Sequence, residues 1–455
     1  MLAVVESINS VLWGPIMLVL LLGTGVYFTF RMNFPQIRKF GAAFKRLFGN
    51  AFKKDKNGDK GSLSSFQALT TSIAAQIGTG NVAGVATAIA SGGPGAVFWM
   101  WMSAFFGMAT IFGEAVLAQK FKTNKDGIVV GGPAYYISEG LHMRWLAVIF
   151  SICIILALGF MGNMVQSNSM AVAMNNAFGF NKTAVGIVIA ILAALIIIGG
   201  IKRIGQLTEY LVPFMAAFYI IGGLIILFMN ASEILPAFRD IFVGAFNPSA
   251  VGGGILGTGV KEAFRYGVAR GIFSNEAGLG STPHAHAVAN VQHPAQQGLV
   301  AMTAVFIDTI IVCSMTALVI LTTKVDYLGS TGAVLAQNAF AAGFGDSVGP
   351  AYLAITLFFF SFTTIIGWYF FAEANVRFLF GKRLIRPFQI LVLCFVVFGT
   401  SLEVPLVWAL ADLFNGLMII PNLFALLALS GLVIKILANY EDDFEKRSSQ
   451  IINQK

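Results

Sequence analysis

The chain has 455 residues, of which 57% are hydrophobic and only 11% charged. A soluble domain carries about a quarter charged residues, so a soluble enzyme is excluded. Apolar runs of about 20 residues mark helices that cross a bilayer. A β-barrel is excluded as well, because its strands alternate in polarity over segments of about ten residues. The net charge of +8 poses a question of sidedness and does not point to nucleic acid. Cys153, Cys313 and Cys394 lie in apolar runs and supply neither a disulfide framework nor metal-ligand spacing.

In chain order, clear apolar runs occupy 11–30, 96–121, 146–178, 183–200, 208–230, 297–323, 350–380, 387–402 and 405–437. The first 30 residues carry no Lys or Arg and so lack the basic start of a cleaved signal peptide. Two further stretches, 66–90 and 252–288, are rich in Gly, Ser, Thr and Asn, and hydropathy alone passes over them. The positive-inside rule decides that both cross. Residues 31–62 hold Arg31, Arg38, Lys39, Lys45, Arg46, Lys53, Lys54, Lys56 and Lys60, which makes this loop cytoplasmic. Without the first polar span, Lys120, Lys122, Lys125 and Arg144 would fall outside. Without the second, Lys382, Arg383, Arg386, Lys446 and Arg447 would.

Counting both predicts an all-α integral membrane protein of eleven transmembrane helices, N-terminus outside and C-terminus cytoplasmic. Of the 29 Lys and Arg, only Lys182, Arg239 and Lys324 then face out, while Lys261, Arg265 and Arg270 lie within the second polar span. The expected organisation is an extra N-terminal helix (1–30), a basic cytoplasmic loop (31–65) and a first five-helix repeat (66–230). An extracellular connection (231–251), a second, inverted five-helix repeat (252–437) and a cytoplasmic tail (438–455) follow. All loops but 31–65 are expected to be short. Trp13, Trp99, Trp101, Trp145 and Trp408 fall near span ends and read as an interfacial aromatic belt. Trp368 falls well inside its span.

The two polar spans are interrupted helices. The first carries Gln76-Ile77-Gly78-Thr79-Gly80-Asn81 at its middle, and each Gly disfavours helix by about 1 kcal/mol relative to Ala. The second carries Gly271-Ile272-Phe273-Ser274-Asn275-Glu276-Ala277-Gly278-Leu279-Gly280. In lipid such breaks persist only where the freed N–H and C=O groups line a cavity or are buried in protein. Five spans separate their starts, so the two run in opposite directions, the arrangement of inverted-repeat transporters with a midplane binding site. The helix resuming near Asn81 aims N–H groups and a positive dipole end at the site, suited to a carboxylate. The helix ending near Phe273 presents carbonyls, suited to an ammonium group or Na⁺. Together they fit a zwitterion. Nucleotide-binding glycines are the rival reading of Gly78–Gly80 and of Gly252–Gly254 with Gly257, but no strand precedes either. Close helix packing accounts for Gly84, Gly222 and Gly223.

Gly92-Gly93-Pro94-Gly95-Ala96-Val97-Phe98-Trp99-Met100-Trp101, running on to Gly107, resembles the signature of the alanine/glycine:cation symporters. The two interrupted segments resemble that family's unwound helices, and Gly162–Asn168 and Ile419–Leu423 extend the similarity over nearly the whole chain. The resemblance implies a 5+5 LeuT-type inverted repeat with one extra N-terminal helix, no cofactor, and uptake of small neutral amino acids coupled to Na⁺ or, in some members, H⁺. It places Thr79, Gly80 and Asn81 around the substrate carboxylate and Phe273, Ser274 and Asn275 at its ammonium side. Gln166 becomes a polar wall and Trp368 an apolar one. It implies a Na⁺ held by the carbonyls of Ala74 and Ile77 and the hydroxyls of Thr363 and Thr364. Spacing adds that Thr364 and Trp368 share a helix face.

Glu114, Glu209, Asp308, Glu373 and Asp412 fall within or at the ends of apolar spans, where an acid costs about 2.5–3.5 kcal/mol on insertion scales and so needs a partner or a cavity. Asp308 is the most central, with an Arg or Lys of the second broken helix, or a transported ion, as its expected partner. Glu276 stands beside the break and is open to the same two roles. Lys261 and Arg265 share a face and are expected to line a wet vestibule. His284, His286 and His293 have neither the spacing nor the companions of a metal site. The expectation is a non-enzymatic symporter of the prokaryotic inner membrane that imports alanine or glycine with Na⁺. Glutamine or another neutral amino acid, coupling to H⁺, and an ion channel stand as rivals.

Overall fold

The computed structural model describes residues 2–50, 62–125, 127–247 and 259–445. Lys53, Lys54, Lys56, Lys60, the glycines at 252–254 and 257, and Lys446 and Arg447 lie outside the described residues. The fold is nearly all helix. Helices α1 (Leu2–Leu12) and α2 (Pro15–Arg31) meet at a bend of 42°. Pro15 suits the first turn of α2 because its missing N–H has no intrahelical partner there. Within the basic stretch follow α3 (Pro35–Arg38) and α4 (Phe40–Asn50).

Helix α5 (Ser65–Gln76) starts at a capping box. The Gln67 N–H donates to Ser64 Oγ at 3.0 Å and the Ser64 N–H to Gln67 Oε1 at 3.2 Å. The chain turns extended at Ile77, then resumes as a π turn (Gly80–Gly84) and α6 (Val85–Gly92), bent 48° from α5. Helix α7 (Gly95–Lys120) leads into an antiparallel hairpin, β1 (Thr123–Lys125) and β2 (Ile128–Val130), with Thr123 opposite Val130. After α8 (Pro133–Tyr135), the helices α9 (Arg144–Ile154) and α10 (Asn163–Phe178) join through a π stretch (Ile155–Gly162) into one 35-residue rod. Next come α11 (Lys182–Ile197), α12 (Gly200–Met229) and α13 (Ile234–Phe246).

Helix α14 (Val260–Asn275) ends in an irregular turn before α15 (Pro283–Ala287). Helices α16 (Pro294–Val305) and α17 (Ser314–Thr322) join through a second π stretch (Phe306–Cys313) into a 29-residue rod. The chain closes with α18 (Gly332–Phe344), α19 (Val348–Phe380), α20 (Ile385–Gly399), α21 (Val404–Ala428) and α22 (Ser430–Asn439). Among the described residues, 6 helical stretches are long and apolar enough to cross a membrane, or up to 8 if each of two bent pairs is one span. The second bent pair is α5 with the helix resuming at Gly80, the first of the two polar stretches.

The connections are less plain than expected. Residues 231–251 hold α13, residues 324–349 hold α18, and a hairpin follows α7. Helix α18 packs on α19, on α6 and on the π turn at Gly80–Gly84, so it covers the first break. In lipid, apolar surface does not discriminate between partners, and small residues that let backbones touch carry much of the association. A Cβ at Gly95 would overlap the Gly244–Ala245 peptide, so α7 and α13 meet backbone to backbone. Gly222 and Gly223 lie equally close to Tyr352 and Met315, as packing glycines should. Gly84 does not fit that reading. A Cβ there would meet only Thr79 O, at 3.9 Å.

The tryptophans read as an interfacial belt are mostly tied into the protein. The indole N–H groups of Trp13, Trp99 and Trp101 are bound within the protein, to Asp412 O, Ala245 O and Ser314 Oγ, and Trp145 alone of the five is largely exposed.

Candidate functional site

At the first break, freed backbone donors are met by side chains. The Gly78 N–H donates to Asn81 Oδ1 at 2.9 Å and the Thr79 N–H to Gln166 Oε1 at 3.0 Å. Here the sequence expectation is refined, because these N–H groups engage Asn81 and Gln166 instead of facing an open cavity. A Cβ on Gly78 would stand 2.5 Å from Thr364 Oγ1 and 2.9 Å from Gln166 Oε1, so only glycine fits. The Thr79 hydroxyl and the Gln76 carboxamide oxygen are buried without a hydrogen-bond partner. Buried polar atoms are nearly always satisfied, so these two mark the break as a place with binding capacity to spare.

The second break is held from outside. Helix α14 runs through Asn275, two residues beyond the expected end at Phe273, and Glu276 takes a left-handed conformation (φ 59°). Gly278 and Gly280 also have positive φ, at 87° and 81°. The fully buried Glu114 of α7 accepts the Gly280 N–H at 3.0 Å, the Gly278 N–H at 3.3 Å and Asn422 Nδ2 at 2.6 Å. Asn422 Nδ2 also donates to Gly278 O at 2.9 Å, and Tyr136 donates its hydroxyl to Asn422 Oδ1. A left-handed non-glycine residue is unusual and persists only where its surroundings over-determine it. Here the Glu276 carboxylate accepts the Trp368 indole N–H and the Ser281 hydroxyl.

The two breaks touch. A Cβ on Gly80 would lie 3.1 Å from Ser274 Cα, and Gln76 Nε2 donates to Asn275 O at 2.6 Å. Between them sits Asp308, fully buried on the π stretch of the α16–α17 rod. It accepts Asn81 Nδ2 at 2.6 Å from one break, Ser274 Oγ at 2.9 Å from the other, and Thr309 Oγ1 at 2.8 Å. The expected Arg or Lys partner is not there. Neutral donors from both broken helices converge on this carboxylate instead. Asn275 Nδ2 donates to Thr309 Oγ1 at 3.2 Å, tying α14 to the same rod.

A second cluster joins the first break to α19. The Thr364 hydroxyl lies 3.0 Å from Ala74 O, 3.2 Å from Ile77 O and 3.0 Å from Phe360 O, and the Thr363 hydroxyl reaches Phe360 O at 2.9 Å. A hydroxyl has one proton and can satisfy one carbonyl at a time. The arrangement is therefore richer in acceptors than in donors, the composition that suits a hard cation. Thr363 also lies 3.5 Å from Met215 Sδ, which leaves Thr364 as the hydroxyl facing the break.

One turn earlier in α14 than Ser274, Arg270 forms a bidentate pair with Asp412, at 2.9 and 2.7 Å. Its guanidinium lies 5.0 Å from the Trp408 ring, and Phe273 packs edge-on to Trp368 with centroids 6.1 Å apart. Arg270, Phe273, Trp408 and Trp368 thus form one chain of ring and cation contacts. Trp368 is apolar toward Phe273 but polar at its N–H. Toward the opposite end, His284 packs against Phe371 and its Nδ1 reaches Ser281 O at 2.6 Å. Lys261 and Arg265 lie near the start of α14, with Arg265 3.9 Å from Glu262. Sequence reasoning flagged Glu114 and Asp412 only as acids in apolar runs. Their partners are 164 and 142 residues away, and no local pattern connects them.

Comparison with known proteins adds a common ancestry to this geometry. The family model described as the sodium:alanine symporter family matches residues 1–454. A protein of Methanococcus maripaludis described as sodium/alanine symporter AgcS is 46% identical over 441 residues, covering 95% of each chain. The probable sodium/glutamine symporter GlnT of Bacillus subtilis is 42% identical over 439 residues, covering 96% of this chain and 90% of GlnT. Among solved structures, MhsT in complex with L-phenylalanine superposes with a TM-score of 0.59 at 12% identity, over 84% of this chain and 99% of MhsT. At that identity the likeness concerns the fold, which is LeuT-like.

Proposed function

The chain belongs to the sodium:alanine symporter family, and from that premise we propose that it imports small neutral amino acids, alanine and glycine, on an inward Na⁺ gradient. It is a multi-pass membrane transporter and not an enzyme. In this reading eleven helices cross a prokaryotic cytoplasmic membrane, an N-terminal helix followed by two inverted five-helix repeats at 66–230 and 252–437, with the C-terminus inside.

The observation that carries the reading is the meeting of Ala74, Ile77 and Phe360 carbonyls at the Thr364 hydroxyl, with the Thr363 hydroxyl beside Phe360 O. A Na⁺ there would be ligated by the Ala74 and Ile77 carbonyls and by the Thr363 and Thr364 hydroxyl oxygens, whose protons turn away to other acceptors, and its charge would draw the first broken helix onto α19. Substrate is held between the breaks: Thr79, Gly80 and Asn81 with Gln166 at its carboxylate, and Phe273, Ser274 and Asn275 at its ammonium group. Trp368 closes the far side. Asp308, bonded to Asn81 and Ser274, senses both breaks at once and supplies the negative charge that a second cation or the ammonium group requires. Glu276 keeps Trp368 in place. Because ion and substrate each favour contact between broken helices and scaffold, each raises the other's affinity.

The contact of Gly80 with Ser274 favours a small substrate. Glutamine is the second reading, supported by the 42% identical relative whose name specifies it. One experiment tests both. Purified protein in liposomes is expected to accumulate labelled alanine under an imposed Na⁺ gradient, with glycine competing and glutamine competing weakly. Accumulation driven equally by Li⁺ or by a pH gradient overturns the Na⁺ assignment, and strong competition by glutamine overturns the preference for small side chains. A saturation-free current instead of accumulation would make the protein a channel.

A further inference from the structure

The rod made of α9 and α10 turns one face toward the breaks. On that face Gln166 accepts the Thr79 N–H at 3.0 Å. Gly162 lies one turn earlier, at the i, i+4 spacing that places two residues on the same side of a helix. A Cβ on Gly162 would stand 2.6 Å from Trp368 Cζ3 and 2.8 Å from Trp368 Cε3, so the indole rests against bare backbone. The opposite edge of the same indole is fixed. Its N–H donates to the buried Glu276 carboxylate, which also accepts the Ser281 hydroxyl. Because Nε1 and the Cε3–Cζ3 edge lie on opposite sides of the fused rings, Trp368 is held between Glu276 and Gly162.

Phe273 of the second break stands perpendicular to this indole, with centroids 6.1 Å apart and ring planes at 87°. Phe273 in turn meets the first break, since a Cβ on Gly80 would lie 3.2 Å from Phe273 Cδ1. Gly162, Trp368, Phe273 and Gly80 therefore form one row of contacts from the rod to the first break, with a glycine at each end. Carbon atoms pack at about 3.5–4.0 Å, so a methyl group at Gly162 would require the indole to retreat by about 1 Å. The bond to Glu276 resists sliding in the plane of the ring, and the rod itself lies behind. The way left is off the rod, toward the breaks.

We propose that Gly162 is a specificity-determining residue: by letting Trp368 lie back against the rod, it leaves room in front of the indole for one methyl group of the substrate, so that alanine fits as well as glycine and a longer side chain does not. Gly162 is a positioning residue, because it acts through Trp368 and not by touching substrate. The inference rests on the transport reading, which puts substrate between the breaks with Trp368 closing the far side.

Uptake of labelled glycine, L-alanine and L-2-aminobutyrate into liposomes under a Na⁺ gradient tests it, with kcat/KM for each expressed relative to glycine. One methylene group in an apolar pocket is discriminated about 10–200-fold. Gly162→Ala is accordingly expected to lower the alanine-to-glycine ratio about tenfold or more, while glycine uptake continues. Adding Trp368→Phe, whose smaller ring has no Cζ3, is expected to return that ratio toward the wild-type value. Trp368→Phe alone is expected to raise the ratio for 2-aminobutyrate. Gly159→Ala serves as the control on the same rod, because a Cβ there would meet Phe388 Cζ at 3.0 Å and Ala372 Cβ at 3.2 Å and not Trp368. It is expected to leave both ratios unchanged. An unchanged ratio in Gly162→Ala, loss of glycine and alanine uptake together, no recovery in the double variant, no gain for 2-aminobutyrate in Trp368→Phe, or an equal shift in Gly159→Ala overturns the inference. Wild type that accumulates neither alanine nor glycine on the Na⁺ gradient overturns the transport reading and this inference with it, whereas the ratios in the variants judge the inference alone.

Discussion

Asn81 does two things with one carboxamide: its oxygen caps the Gly78 N–H and its nitrogen donates to Asp308. Hydrogen bonds to charged groups contribute about 1.5–3 kcal/mol, or about 10–150-fold in an equilibrium constant. Asn81→Ala is therefore expected to raise the apparent substrate constant for uptake at least about tenfold, and a wild-type value would remove Asn81 from the site. Thr364→Ala is expected to abolish stimulation by Na⁺; stimulation that persists in uptake assays refutes the cation assignment. The two glycines flanking this region separate steric need from mere presence. Gly78→Ala would drive a methyl against Thr364 and Gln166 and is expected to abolish uptake. Gly84→Ala meets nothing closer than 3.9 Å and is expected to leave uptake intact and raise thermal stability by about 0.5–1 kcal/mol. The break at Gly78 was legible as glycine among polar residues in a stretch that must still cross the membrane if the charge pattern is obeyed. The freedom at Gly84 was not, because only the neighbouring elements say what a side chain would touch.

The turn after α14 depends on a helix in which no substrate ligand is proposed. Glu114 of α7 accepts from two peptide N–H groups and Asn422, so the turn at 276–280 is fastened to α7 and α21 at once. Glu114→Gln keeps the shape but puts an NH₂ where one of the two accepting oxygens stood, so at least one of these N–H donors loses its acceptor, and a loss of uptake of about tenfold or more is expected with little change in Na⁺ dependence. The Arg270–Asp412 pair is expected to behave as buried pairs do, where losing one partner costs about 3–5 kcal/mol and losing both costs much less. Thermal midpoints of Arg270→Met, Asp412→Leu and the double variant check this, and additive losses would mean the pair contributes no coupling. At this scale the chain breaks after Gln76 and after Asn275 could be read from composition, since Gly, Ser, Thr and Asn crowd both stretches. The covering helix α18 could not. Gly332–Phe344 is too short to span, and its role lies in contacts with α6 and α19 that local sequence does not encode. The fastening by Glu114 was half-visible, as an acid where lipid would punish it.

Considered whole, the molecule encloses its site from both sides, and Cys313 records this. Its thiol is nearly inaccessible, 3.4 Å from Asn81 Nδ2 and 3.3 Å from Ser274 Oγ. With Cys153 and Cys394 replaced by serine, Cys313 is expected to react slowly with a small permeant maleimide, and more slowly still in Na⁺ with alanine. Labelling indifferent to both ligands would place their binding elsewhere. Of five wide turns among the described residues, those at Gly80–Gly84, Ile155–Gly162 and Phe306–Cys313 bear on how such an enclosure opens. They carry Asn81, Gly162 beneath Trp368, and Asp308, and each winds more residues per turn than an α-helix. Tightening one to ordinary winding would swivel the adjoining rod by about a quarter turn and shift it by about 1.5 Å, while every amide merely changes partner. A machine immersed in oil, where an abandoned peptide group is ruinous, thereby keeps slack thread at three points close to its breaks.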